Sequence, residues 1–258
     1  MSLPPFFSSV LDAGTVHTAI VDGVATVRFA HPKSNSLPGA LLAKLAETIA
    51  LMGQEPAARV IVLRSEGSGA FCAGASFDEF KAVQDAAGGK QFFSGFAKVI
   101  LAMIRSPKFV VTRVHGKTAG GGVGLVAASD YAIGVEGASL KLSELALGIG
   151  PFVVGPVIEK KIGLAAFTGM AVDTDWRTAA WAERHGLYAE VLETVPALDH
   201  RVDGFAKKLA GYDPEASRRF KEVLWQGTEG WPELLGARAE ISGTLVLSEY
   251  TQRAVQKA

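Results

Sequence analysis

The chain has 258 residues, 48% of them hydrophobic and 20% charged, and its 26 basic and 26 acidic residues give a formal net charge of zero. That length and balance fit a globular protein of one large domain, or a domain with an appended subdomain, and exclude global disorder. Zero net charge argues against a nucleic-acid partner, whose phosphates require clustered surplus cations. The lone cysteine, Cys72, excludes an intrachain disulfide and a cysteine-based zinc cluster, and it fits a reducing compartment. Residues 1–10 carry no Lys or Arg and no long apolar run, so no secretory or transit segment is expected there. No stretch approaches the roughly 20 apolar residues of a membrane helix, and the expected location is cytoplasmic.

Residues 16–21 and 24–30 alternate or run apolar around Asp22-Gly23, the signature of a hairpin. A loop rich in Pro, Ser and Asn follows, from His31 to Pro38. Leu41, Leu42, Leu45 and Ile49 share one face and predict a helix over 38–52. Residues 59–63 read as a buried strand and 67–75 as a loop of Gly and Ala. Phe92, Phe96, Val99, Ile100 and Met103 predict a second long helix, parted by Gly88-Gly89 from one that begins near Phe77 and ended by Pro107. A strand at 109–114 leads into a glycine-rich loop at 115–124, a helical stretch at 125–128 and a strand at 131–135. Beyond residue 150 strands nearly vanish, apart from 187–191, and helices are expected near 153–162, 174–185, 197–210, 214–226 and 230–248. Asp213-Pro214-Glu215 has the cap, the first-turn proline and the acid that start a helix. The chain therefore divides into an α/β core, residues 1–195, and a helical C-terminal region, 196–258.

Strand–loop–helix order recurs at 24–52, 59–103 and 109–128 and delivers a loop at each strand end, where α/β folds place ligands. The glycines at 116, 120, 121, 122 and 124 do not complete a dinucleotide fingerprint. One frame puts Leu125 at the last glycine; the other, ending on Ala127, lacks the acidic partner of a first βα unit. Gly116-Lys117-Thr118 has Val111 where a phosphate-binding loop needs glycine. Five histidines, at 17, 31, 115, 185 and 200, show no ligand spacing, so no metal is expected. No Gly-x-Ser-x-Gly elbow occurs either. What stands out is a pair of small-residue loops, 70–77 and 115–124, each after an apolar strand. Small residues let a ligand reach the backbone itself. The second loop also runs into a helix whose first N–H groups have no intrahelical partner and favour negative charge.

Five segments fall in one order: Asn35-Ser36-Leu37 after a hairpin; 60–75, ending in Phe71-Cys72-Ala73-Gly74-Ala75; Val114-His115-Gly116 with Gly120-Gly121-Gly122; Ser143 through Ile149; and Ala182 to Leu187. In these, over nearly its whole length, the chain resembles the enoyl-CoA hydratase/isomerase (crotonase) family. The resemblance implies an α/β crotonase-like core of ββα units and a helical C-terminal region that serves oligomerisation, as a trimer or dimer of trimers. It implies an acyl-CoA substrate, with coenzyme A present as part of the thioester and no permanently bound cofactor. It also implies that the backbone N–H groups of Ala75 and Gly121 hold the thioester oxygen as an enolate forms; in related hydrolytic chemistry one such donor is worth about 3 kcal/mol. Ala73, Gly74, Ala75, Ser76 and Phe77 are expected to flank coenzyme A, with Lys33 nearby.

Of the family's two glutamates, one corresponds to Glu144, preceded by Ser143 instead of the usual Pro; the other position holds Gly124. Leu140, Leu142, Leu145, Leu147 and Ile149 around Glu144 predict a desolvated carboxyl of raised pKa, suited to acid–base work. A lone carboxylate moves a proton between the α- and γ-carbons of an enoyl thioester more readily than it hydrates one. The expected activity is thus hydratase or isomerase with Glu144 as acid–base, the alternative being a non-catalytic acyl-CoA-binding or scaffold protein. Asp78, Glu79, Asp130 and Glu136 are candidates to replace the missing carboxylate. Phe152-Val153-Val154-Gly155 stands where the family has a Gly-rich turn and is expected either to shape the pocket for a short or branched acyl group or to alter helix packing. Trp225, Trp231, Leu234, Leu235, Ile241 and Leu245 are expected in subunit contacts or in the intramolecular core.

Overall fold

The structure, a computed structural model, describes residues 13–257, so the absence of a targeting segment expected for 1–10 lies outside the described residues. Asp22 (φ 51°) and Gly23 (φ 78°) take the two left-handed positions of a tight turn and fold β1 (Thr15–Val21) back onto β2 (Val24–Ala30). From β2 onward all pairing in the main sheet is parallel. β4 (Val60–Ser65), β6 (Val110–Val114), β8 (Tyr131–Val135) and β10 (Glu190–Leu192) complete a six-stranded sheet in the order β1-β2-β4-β6-β8-β10. β4 and β6 are almost wholly buried, as parallel strands covered on both faces must be.

The helices are α1 (Gly39–Gln54), α2 (Phe77–Lys81), α3 (Ala86–Arg105), α4 (Gly121–Ala128), α5 (Gly155–Val172), α6 (Ala179–Arg184), α7 (Val195–Ala210), α8 (Pro214–Leu224), α9 (Trp231–Leu245) and α10 (Glu249–Lys257). α1 packs on the hairpin and on α3, while α7 lies against β4, β6 and β8. The charged residues of the buried strands, Arg64 and Arg113, stand side by side in register and share Asp199 of α7. Arg113 donates through Nε (2.5 Å) and Nη2 (3.0 Å), and Arg64 through Nη2 (3.2 Å).

The C-terminal helices are joined to the α/β part by a buried ion pair. Lys221 of α8, 2% exposed, donates from Nζ to Asp130 Oδ2 and to the carbonyls of Met103 and Lys108, each at 2.8 Å. Asp130 also accepts from the Val110 N–H at 2.7 Å and from Trp225 Nε1 at 2.8 Å. A charge pair so enclosed is tolerable only because nearly every donor and acceptor is matched. Trp225, Trp231 and Leu235 are buried within the chain, whereas Leu234 and Ile241 are exposed.

Several elements differ from the sequence expectation. Gly88-Gly89 does not break a helix: both lie in the first turn of α3, capped by Asp85, whose Oδ1 accepts from the Gly88 N–H at 2.7 Å. The break falls just before Asp85. Gly89 serves packing, since a Cβ there would come within 2.7 Å of the Gly243 backbone on α9. α5 runs on past 162 through a kink at Gly163, the helix expected at 174–185 shrinks to α6, the one expected at 230–248 is α9 and ends at Leu245, and α10 follows it where no helix was expected. Two short parallel pairs also appear: β3 (Ser36–Leu37) with β5 (Gly74–Ala75), and β7 (Thr118–Ala119) with β9 (Leu140–Lys141). Both bear on the site.

Candidate active site

The short pairs bind the two small-residue loops to each other and to their supports. Phe71 N–H donates to the Lys117 carbonyl and Ala119 N–H to the Cys72 carbonyl, both at 2.9 Å. Asn35, held at φ 55°, donates from Nδ2 to the carbonyls of Glu66 (3.0 Å) and Ala70 (2.9 Å), fixing the start of the first loop. As a result a Cβ placed on Gly74 would lie 3.9 Å from the amide nitrogen of Gly121. Gly121 opens α4, and its N–H has no intrahelical acceptor. Gly120, the residue before it, has φ 52° and ψ −123°, a backbone state that side chains disfavour.

Gly120 N–H donates to the Lys141 carbonyl at 3.0 Å, which brings in β9 and the segment after it. That segment carries Glu144 at the head of a 3₁₀ turn, Leu145–Leu147. Its Oε1 lies 3.3 Å from where a Cβ on Gly120 would sit, so the carboxyl adjoins the Gly120–Gly121 backbone. The residue as a whole is partly accessible, but Oε2 is shut away and has no hydrogen-bond partner. Burial pushes the carboxyl up from 4.5 to about 7, against a smaller opposing pull from the N–H groups of Glu144 and Ser143.

Ala73, Gly74, Ala75, Gly120, Gly121 and Glu144 line one side of an open cavity. The other side is apolar, with Phe77 and Phe80 from α2, Phe92, Phe93 and Phe96 from α3, and Phe152 with Val153 and Val154 ahead of α5. Among the described residues lining the cavity, Glu144 is the one ionisable side chain. None of the four candidates to replace the missing carboxylate reaches it. Asp78 is exposed and pairs with Lys33, Glu79 accepts from the Gly39 N–H at 2.8 Å, Asp130 is held by Lys221, and Glu136 is exposed.

Gly124 is buried, and a Cβ there would meet Val154 Cγ1 at 2.7 Å. The position where the resemblance implies a second glutamate is thus closed by Val154, with Ile100 Cδ1 also 3.2 Å from that Cβ. Of the remaining expected residues, Phe77 lines the cavity, while Ser76 is buried and caps α2, accepting from the Glu79 N–H at 3.3 Å. Lys33 does not line the cavity. Residues with no signal in the sequence are Phe80, Phe93 and Ser242, which reach the cavity only because α2, α3 and α9 converge there.

A carboxyl poised near neutrality beside an unpaired helix-start amide can take a proton from carbon and leave the resulting charge on an oxygen facing that amide. Comparison with known proteins agrees in kind. The profile of the enoyl-CoA hydratase/isomerase family matches residues 19–252. A hydrolase of (7aS)-7a-methyl-1,5-dioxo-2,3,5,6,7,7a-hexahydro-1H-indene-carboxyl-CoA from Rhodococcus jostii (strain RHA1) is 29% identical over 216 residues, 82% of this chain and 80% of that protein. The mitochondrial methylglutaconyl-CoA hydratase of Rattus norvegicus is 28% identical over 199 residues, 76% of this chain and 63% of that one. The crystal structure of an enoyl-CoA hydratase from Bacillus halodurans shares the fold, with a TM-score of 0.87 at 22% identity over 94% of this chain and 99% of that one. With the profile matched across nearly all of the described residues, the chain belongs to the enoyl-CoA hydratase/isomerase family.

Proposed function

We propose that this protein is an acyl-CoA-processing enzyme that works through a thioester enolate with one carboxylate. The thioester carbonyl sits at the amides of Ala75 and Gly121, with coenzyme A running out along residues 73–77 towards Lys33. Ionised Glu144 removes a proton from the α- or γ-carbon, the electron pair moves onto the thioester oxygen, and the two N–H groups stabilise the charge. The protonated carboxyl then returns the proton to the other carbon, which shifts the double bond. The observation that carries this reading is Glu144: it is the one ionisable side chain lining the cavity among the described residues, with a carboxyl raised to about 7. With Val154 against Gly124, no second carboxylate holds a water, which favours isomerisation over hydration.

A second reading is hydrolysis of a ring-bearing oxo-acyl-CoA, favoured by the name of the Rhodococcus jostii relative. Both readings develop negative charge on a carbonyl oxygen and differ in product. The test is a panel of 2-enoyl, 3-enoyl, branched and bicyclic oxo-acyl-CoAs in deuterated water, with product analysis. Deuterium at the α-carbon with double-bond migration and no added water is the expected result. A hydrolysed product supports the hydrolase, and binding with neither exchange nor turnover leaves a non-catalytic acyl-CoA-binding protein.

A further inference from the structure

The apolar side of the cavity holds one polar group that the reaction does not use. Ser242, on α9, lines the cavity and is 1% exposed. Its carbonyl accepts from the Val246 N–H at 3.0 Å, but its hydroxyl makes no hydrogen bond among the described residues. Unlike Glu144 Oε2, the hydroxyl is not shut away: it opens onto the cavity, where a ligand can hydrogen-bond to it. The remaining hydroxyl on the cavity, that of Ser143, adjoins Glu144 and belongs to the thioester end.

The placement of Ser242 follows from the fold. It precedes Gly243, where α9 crosses α3 so closely that a Cβ on Gly243 would lie 2.5 Å from the Lys90 nitrogen. That crossing sets Ser242 on the cavity beside Phe92, Phe93 and Phe96 of α3, with Phe77, Phe80 and Phe152 completing the wall. Six phenylalanines thus line the open cavity. Such walls complement a ring better than a single extended chain.

We infer that the acyl group is bulky and ring-bearing, and that it carries an oxygen, away from the thioester, which hydrogen-bonds to the Ser242 hydroxyl. The inference rests on the acyl-CoA reading above and names its substrate class. Ser242 is a specificity residue: it recognises the acyl group and takes no part in proton transfer.

The test measures binding, so it does not depend on turnover. Calorimetry would compare cyclohexylacetyl-CoA, its 3-oxo and 4-oxo ring derivatives and octanoyl-CoA on the native chain and on Ser242→Ala. One ring-oxo ligand is expected to bind about tenfold tighter than its deoxo parent to the native chain. Ser242→Ala should lose that preference while binding the parent within about twofold of native. Octanoyl-CoA should bind more weakly than either ring ligand. The inference is overturned if the oxo preference is absent from the native chain, if it survives in Ser242→Ala, or if octanoyl-CoA binds as tightly as the rings. α-Carbon deuterium exchange, run on the same samples, reports separately whether the enolate chemistry holds.

Discussion

The two sides of the cavity are built on different principles. The side bearing Glu144, Ala75 and Gly121 is set by backbone: short strand pairs, carbonyl-to-amide bonds between loops, and the φ of Gly120. The facing side is set by side chains on helices. Phe77, Phe80, Phe92 and Phe93 pack with Ile149, Val246 and Val255 in a small cluster separate from the main core, with ring centroids 5.0–6.1 Å apart among Phe80, Phe92 and Phe93. Backbone geometry tolerates little change, which suits a step whose atoms must stay in place. A packed aromatic wall can be altered one ring at a time, which would suit the selecting role inferred for it above.

Glu144→Gln breaks the first side most sharply, because it keeps the shape and removes the charge. Turnover is expected to fall about a thousandfold with acyl-CoA binding intact. Near-native turnover would place the base elsewhere.

Lys221→Met works on the other side's anchorage, since Lys221 holds the carbonyl end of α3 at Met103. Leaving Asp130 buried without its cation should cost about 3–5 kcal/mol in denaturant unfolding. Exchange per folded molecule should not change, and a loss of exchange equal to that of Glu144→Gln would mean that the two sides are not separable.

The pH dependence sharpens the contrast. The Glu144 carboxyl is raised from 4.5 to about 7 in the folded chain, so folding takes up a proton between those values. Stability therefore falls as pH rises through that window, by up to about 3 kcal/mol from this group. Unfolding curves should show the advantage of Glu144→Gln over native growing with pH and levelling above about 7; parallel curves would mean the carboxyl is not desolvated. The activity trend is opposite, with kcat/KM climbing towards neutrality as the base ionises.

The smallest effect joins the two sides. Gly124→Glu alone should destabilise the chain by about 1–3 kcal/mol, because its side chain meets Val154. Adding Val154→Gly should recover part of that loss and introduce a hydrated product. If the double variant is no more stable than the single one, Val154 is not what closes the position.

Legibility in the sequence follows the same division. The hairpin at Asp22-Gly23, the buried strands and the apolar setting of Glu144 were readable because each is encoded by near neighbours. β3, β5, β7 and β9 were not, since two residues carry no period. Gly88-Gly89 read as a break because glycine weakens a lone helix; its partner, Gly243, lies far along the chain. Asp130 stood among the candidates for the missing carboxylate because nothing local announces Lys221, and nothing near Ser242 in the sequence marks it as lining the cavity.

The contact between Gly89 and Gly243 means that the bore of the cavity is gauged by missing atoms. Two helices rest backbone on backbone, with no side chain between them to compress or rearrange. A single methyl group added at either point would wedge them apart and shift a whole face of rings relative to the side that carries Glu144. A lineage with this fold could then retune the width of its cavity from a place that does not line the cavity at all.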